Sequence, residues 1–238
     1  MSNIRLFFLK SLSLNLTAKL DKSQSHYVNK VMRIKVNETF SLFNSGGEWE
    51  AKVKEITKGI VEFIVTKQLR HKENSKEIWL AFSPIKSNYF HFMIQKATEL
   101  GVTKFLPIIF DRTVVRKINK ERLQKIIIEA AEQSNRINVP SIEKPQNLKK
   151  FLNENKNKID LIFTDLNSQN KKLDTKELSK KPICLIIGPE GDFSMEELDL
   201  LNQKGIPKVT LGSRRLRSET AGIYALSAMN EYYLNIKE

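Results

Sequence analysis

The chain has 238 residues, 40% of them hydrophobic, and carries 40 Lys and Arg against 27 Asp and Glu, a formal net charge of +13. That is apolar content enough for one large or two modest domains, and the basic excess points to a polyanion such as nucleic acid, although a lysine-rich solubilising coat gives the same count. One cysteine excludes an intramolecular disulfide, three histidines and one cysteine do not make an ordinary zinc site, and no apolar run reaches the length of a bilayer span.

In chain order, Ile4, Leu6 and Phe8 alternate with Arg5 and Phe7, the period of a half-buried strand. Residues 23–31, with His26, read as a helix. Residues 39–43 predict a strand and Asn44-Ser45-Gly46-Gly47 a hairpin turn. Trp49, Ala51 and Val53, alternating with Glu50, Lys52 and Lys54, predict the returning strand. Lys58-Gly59 then turns the chain into a strand over 60–69. Short strands with glycine turns point to a small β-barrel. Residues 1–72 hold 13 basic and 6 acidic residues, a denser positive charge than the rest, which favours this part as the one that would grip a polyanion.

The polar run 71–76 reads as a linker. Beyond it strands and helices alternate, so an α/β layer fold is expected over 73–238. The pattern predicts a strand at 78–82, then a helix whose face is Phe90, Ile94, Ala97 and Leu100, ended by Gly101. A strand follows at 105–110, and a helix from Arg122 to about Asn138, stopped before Pro140. Residues 144–158 read as an exposed helix and 161–164 as a strand. Lys96 and Glu99 are spaced to pair across one turn. Glu129, Gln133 and Arg136 share one face beside the small Ala130 and Ala131, a pattern suited to a cleft wall or a dimer contact.

Ile183-Cys184-Leu185-Ile186-Ile187 is an unbroken apolar run that suits a strand buried on both faces, with Cys184 a core residue. Gly188-Pro189-Glu190-Gly191-Asp192-Phe193-Ser194 follows; its glycines allow positive φ or close approach, and Pro189 stiffens the turn. Ser194 and Glu197 fit a capping box that starts a helix. The plan then repeats: Val209 and Leu211 form a short strand, Gly212 breaks it, and Ser218 is expected to cap a last helix running through Tyr224, Leu226 and Met229 toward Leu234. Gly-Pro-Glu-Gly alone is an ordinary tight turn. Arg214, Arg215 and Arg217 at a helix start oppose the helix macrodipole and are poor choices for a plain connection. Two such loops at one end of a parallel sheet would meet where open α/β folds hold ligands.

These loops, together with Gln95-Lys96-Ala97-Thr98-Glu99-Leu100-Gly101-Val102 and Glu129-Ala130-Ala131-Glu132-Gln133-Ser134-Asn135-Arg136, resemble the RsmE family. Its members use S-adenosylmethionine (SAM) to methylate N3 of a uridine in 16S ribosomal RNA of the small subunit. The resemblance implies an α/β SPOUT fold at 73–238, a parallel-sheet methyltransferase domain with a C-terminal trefoil knot, behind a PUA-like RNA-binding β-barrel at 1–72. It implies a SAM site of Ile187, Gly188, Pro189, Glu190, Gly191, Leu211, Gly212, Leu216, Thr220 and Ala221. It also implies RNA contacts at Arg5, His26, Arg33, Arg112, Arg136 and Arg214, and a homodimer without metal or membrane. Arg217 is the candidate for stabilising the uridine anion and Glu219 for taking its proton, with the general base left open. His26 on its own is as readily a surface histidine. Two positions depart from the family: Asp192 stands where another glycine is usual, and Arg215 where an aliphatic residue is usual. A SPOUT enzyme with another RNA target, and a ribosome-assembly protein without catalysis, are the alternatives. No G-x-G-x-x-G follows a strand, which disfavours a Rossmann-type site. A chain start without a secretory pattern leads to the expectation of a cytoplasmic protein.

Overall fold

The computed structural model describes residues 4–72, 76–155, 157–168, 170 and 181–235. The chain forms two units, Met1–Ser75 with Ala131–Val139, and Lys76–Ala130 with Pro140–Glu238. The expected linker run 71–76 lies in part outside the described residues, at 73–75.

The first unit is built on strands β1 (Arg5–Phe7), β2 (Thr17–Lys19), β3 (Thr39–Asn44), β4 (Gly47–Thr57) and β5 (Ile60–His71), in the order β1-β3-β4-β5-β2. β1 runs parallel to β3 and the other pairs are antiparallel. The two-residue alternation read in the sequence is the burial pattern observed: Ala51, Val53, Val61, Phe63 and Val65 are buried, with Phe8 and Phe40 packed edge-on to Phe63. Register shifts in the β4–β5 ladder mark bulges, which bend and twist long strands around a small core. Helix α1 (Lys22–His26) starts at Asp21, whose carboxylate accepts from the Gln24 amide at 2.8 Å, and then widens into a π turn over Tyr27–Val31. The single helix expected at 23–31 therefore changes pitch midway.

In the second unit, β6 (Ile78–Phe82), β7 (Lys104–Ile109), β8 (Ser141–Ile142), β10 (Asp160–Thr164), β11 (Ile183–Ile187) and β12 (Lys208–Val209) form a parallel sheet ordered β12-β10-β11-β6-β7-β8, with β9 (Gln146–Asn147) on β7. β11 lies inside the sheet and every one of its residues is buried, as its unbroken apolar run predicts. Burial pushes the Cys184 thiol well above its ordinary range, so it stays protonated core. The helices are α2 (Ser87–Glu99), α3 (Lys120–Gln133), α4 (Leu148–Asn155), α5 (Met195–Gln203) and α6 (Ser218–Asn235). α2 and α6 pack on each other, and α6 reaches β11 and β6. Leu148, Phe151, Leu152 and Leu201, from α4 and α5, pack with Ala81, Cys184 and Ile186 in one apolar cluster. The helix expected to be exposed at 144–158 is thus half core.

α3 ends earlier than the sequence predicts. Asn135 takes a left-handed φ of 61°, and the Arg136 amide reaches back to the Ala131 carbonyl, the closure of a Schellman cap. Arg136 therefore leaves the helix face it was expected to share with Glu129 and Gln133. Ala130 and Ala131 are buried within the chain, which removes them as a dimer contact. Residues 169 and 171–180, between β10 and β11 in the part of the chain expected to carry the trefoil knot, lie outside the described residues.

Candidate functional site

A cleft of about 600 Å³ opens at the C-terminal ends of four parallel strands. Thr164, Asp165 and Leu166 line it after β10, and Ile187 to Glu190, with Asp192 and Phe193, after β11. Lys86 and Tyr89 follow β6, while Leu211, Gly212 and 214–218 follow β12, with Ala221 from α6. This is the place an α/β sheet offers a ligand, and the volume falls in the range of small-molecule sites, roughly 300–1,000 Å³.

The first loop is held from behind. The Ser194–Glu197 capping box is complete in both directions, and Glu197 also accepts from the Asp111 amide at 2.9 Å while the Ser194 hydroxyl donates to the Asp111 carboxylate. The loop after β7 is thereby fixed to the start of α5. Arg112 donates to the Gly191 carbonyl at 2.9 Å, and a Cβ on Gly191 would come 3.2 Å from that of Arg112. A Cβ on Gly188 would come 2.9 Å from the Phe193 ring. Both glycines serve close packing. The left-handed residue of the loop is Asp192, at φ 67°, with its amide bonded to the Pro189 carbonyl. A glycine there would be unstrained; Asp is among the side chains that visit this region most readily, so the departure from the family keeps the turn.

The second loop depends on Gly212, whose φ of 121° is closed to ordinary side chains. Ser218 was expected to cap α6. Instead its hydroxyl donates to the Gly188 carbonyl at 3.1 Å and joins the two loops. Arg214, Arg215 and Arg217 are exposed, and Arg215 reaches toward the Glu190 carbonyl. Arg217 lies over the Tyr89 ring, 5.4 Å from its centroid.

Of the expected SAM residues, Ile187, Gly188, Pro189, Glu190, Leu211, Gly212, Leu216 and Ala221 line the cleft, as does Arg217. Gly191 supports it from behind. Thr220 is exposed and off the cleft wall, and Glu219 is 6% exposed and also off it. Ser218 and Ala221, three apart, share the cleft side, and Glu219 is turned inward from it. The cleft wall therefore does not itself supply a role for Glu219 as the group that takes the uridine proton or for Thr220 as a cofactor contact. Lys86, Tyr89, Thr164, Asp165, Leu166 and Phe193 were missed. Their signal is position at a strand end, which has meaning only once the strand order is known.

The expected RNA contacts separate. His26 and Arg33 are exposed, Arg33 at a left-handed φ of 54°. Arg5 is not available. It is 7% exposed, and its nitrogens make five hydrogen bonds, two to Glu48 and three to the carbonyls of Ala131, Glu132 and Arg136. Its guanidinium also lies 4.4 Å from the Phe43 ring centroid. It is a structural residue of the first unit. Arg136 is half-buried, and loss of solvation lowers its guanidinium pKa to about 10.

An RNA methyltransferase domain model matches residues 72–230, and an RNA methyltransferase PUA domain model matches 20–66. A Rickettsia conorii protein named ribosomal RNA small subunit methyltransferase E is 38% identical over 205 residues, 85% of this chain and 84% of that one. The chain belongs to this methyltransferase E family. A Buchnera aphidicola (Schizaphis graminum) member is 30% identical over 94% of both chains. The crystal structure of the Neisseria gonorrhoeae member bound to S-adenosyl methionine superposes with a TM-score of 0.89 at 30% identity, over 97% of this chain and 98% of that one. The SPOUT-type α/β fold and the PUA-like N-terminal part are those of the methyltransferase E family.

Proposed function

We propose that the protein transfers a methyl group from SAM to N3 of a uridine in 16S ribosomal RNA, acting as a homodimer in the cytoplasm. The observation that carries this reading is the cleft at the four strand ends, closed by the two family loops and edged by Arg217.

The residues present fit SAM. Ile187, Leu211, Leu216 and Ala221 offer apolar wall, the carboxylate of Glu190 suits a positively charged sulfonium, and Gly212 leaves space around its α-carbon. When bound, SAM supplies an electrophilic methyl group whose leaving sulfur becomes neutral. The protein's task is alignment and charge. Uridine N3 carries a proton at neutral pH and is nucleophilic only as the anion. The exposed Arg217 at the cleft edge favours that anion electrostatically. Loss of the N3 proton, to solvent at this open cleft edge, creates the negative charge that Arg217 faces, and bonding of N3 to the methyl carbon then discharges it, so Arg217 must attract without binding the anion too tightly.

Of the expected RNA contacts, His26 and Arg33 in the first unit, and Arg112 and Arg214 in the second, are exposed and available to hold RNA. Half-exposed Phe92 and Tyr224, on α2 and α6, are apolar surface that a second copy would cover. Sedimentation at low micromolar concentration should show a dimer, and a monomer alone would reject that part.

The test is incubation with methyl-labelled SAM and small-subunit RNA from a strain lacking the activity, then nucleoside mass spectrometry. 3-Methyluridine is expected. Label in another nucleoside would make this an enzyme with a different target, and no SAM binding with retained RNA binding would make it an assembly factor.

A further inference from the structure

Arg217 lines the cleft without an opposite charge to hold it: among the described residues its guanidinium has neither a hydrogen bond nor an ion pair. What it has is the ring of Tyr89. Tyr89 stands in the first turn of α2, beyond the end of β6, and lines the same cleft. It is 49% exposed, while its neighbour Phe90 is 5% exposed and packs on Phe82. The core side of α2 is therefore filled without Tyr89, and the burial of an aromatic core does not account for it.

The kind of partner matters. A carboxylate beside Arg217 would neutralise it and occupy its N–H donors. An aromatic ring attracts the cation through its π face, within about 6 Å, and leaves those donors and the positive charge for an anion in the cleft. We propose that Tyr89 is a positioning residue that holds Arg217 at the cleft edge with its charge uncompensated and its donors available for the uridine anion. This rests on the reading of Arg217 given above.

The experiment compares Tyr89→Leu, Tyr89→Phe, Arg217→Ala and Tyr89→Leu with Arg217→Ala in single-turnover methylation at saturating RNA and SAM, with SAM affinity measured alongside. Tyr89→Leu should slow the methyl-transfer step roughly three- to tenfold, with SAM affinity within about twofold, and Tyr89→Phe should recover most of the rate because the ring is retained. In the Arg217→Ala background, Tyr89→Leu should cost nothing more, since the two residues act as one unit. A normal rate for Tyr89→Leu beside a slow Arg217→Ala would overturn the positioning role alone. Equal losses from Tyr89→Leu with and without Arg217 would also overturn it, because the ring would then act independently. A normal rate for Arg217→Ala would overturn the reading of Arg217 itself and the inference with it.

Discussion

The Ser218 hydroxyl donates to the Gly188 carbonyl across 3.1 Å, so the first turn of the last helix is fastened to the end of the central strand. The two loops that line the cleft are brought together by the protein itself. Removing this bond should loosen the cleft without unfolding the sheet, at a net cost of about 0.5–1.5 kcal/mol. Ser218→Ala is expected to weaken SAM binding roughly threefold to tenfold, and Ser218→Thr to keep it close to native. Titration calorimetry decides; native affinity in the alanine variant would mean the loops are held by other contacts.

Gly188 and Gly212 should fail for different reasons. A Cβ at Gly188 meets the Phe193 ring, which is 4% exposed and set edge-on to Phe110 at 5.3 Å and Phe163 at 5.9 Å. The ring has little room to yield, and overpacking of this kind costs about 1–3 kcal/mol. Gly188→Ala should therefore lower both the melting temperature and SAM affinity. A Cβ at Gly212 meets nothing within 4 Å, but φ is 121°, so the penalty is conformational. Gly212→Val should abolish SAM binding while the N-terminal unit stays folded. An unchanged SAM titration in that variant would contradict the site.

Features set by residues close in sequence were legible there: the Ser194–Glu197 capping box, the Lys96–Glu99 pair at 2.9 Å, and the alternation around Ala51 and Val53. Position Asp192 was legible as a departure from the family, but only its φ shows that the departure preserves the turn. Arg5 was misread because its partner Glu48 is 43 residues away and its carbonyl partners more than 120 away. A basic residue on a β-edge pattern looks the same whether solvated or saturated. Which residues of the last helix face the cleft was not legible, because that phase is set by the tie between Ser218 and Gly188. The strand-end residues Thr164, Asp165 and Lys86 needed the sheet order.

Arg5 and Glu48 make a pH-dependent prediction. Burial alone would raise the Glu48 carboxyl, but the hydrogen bond and charge of Arg5, with help from Arg70 and Ser41, outweigh it and hold the group below its ordinary 4.5. A depressed carboxylate contributes stability that is complete above its unfolded value and is lost as pH falls through its folded value. Arg5→Ala leaves the buried Glu48 carboxylate with Arg70, at 3.2 Å, as its remaining cationic partner, and should cost up to about 3–5 kcal/mol at neutral pH. The gap in melting temperature between native protein and Arg5→Ala should narrow as pH falls below about 4.5, when Glu48 takes a proton in both. Thermal melts from about pH 7 to about pH 3 test this; a gap independent of pH would mean that lost packing on Phe43, not the ion pair, sets the cost.

Arg33 carries the last prediction. The Met32 amide closes the π turn on the Tyr27 carbonyl, and the Ile34 amide reaches the Val28 carbonyl, which leaves Arg33 as the left-handed residue that ends the helix. Glycine or asparagine usually occupies such a position. Arginine there costs roughly 1 kcal/mol of stability relative to glycine, and its side chain is exposed. Among the described residues no hydrogen bond or ion pair of the Arg33 side chain repays that strain, so an RNA phosphate is the partner that would. Arg33→Gly should then raise the melting temperature and at the same time weaken RNA binding, with the salt dependence of log K reduced by about one. Arg33→Lys should keep most of the RNA affinity and none of the gain in stability. If Arg33→Gly binds RNA as the native protein does at every salt concentration, Arg33 is a helix terminator alone, and the RNA grip lies elsewhere on the first unit.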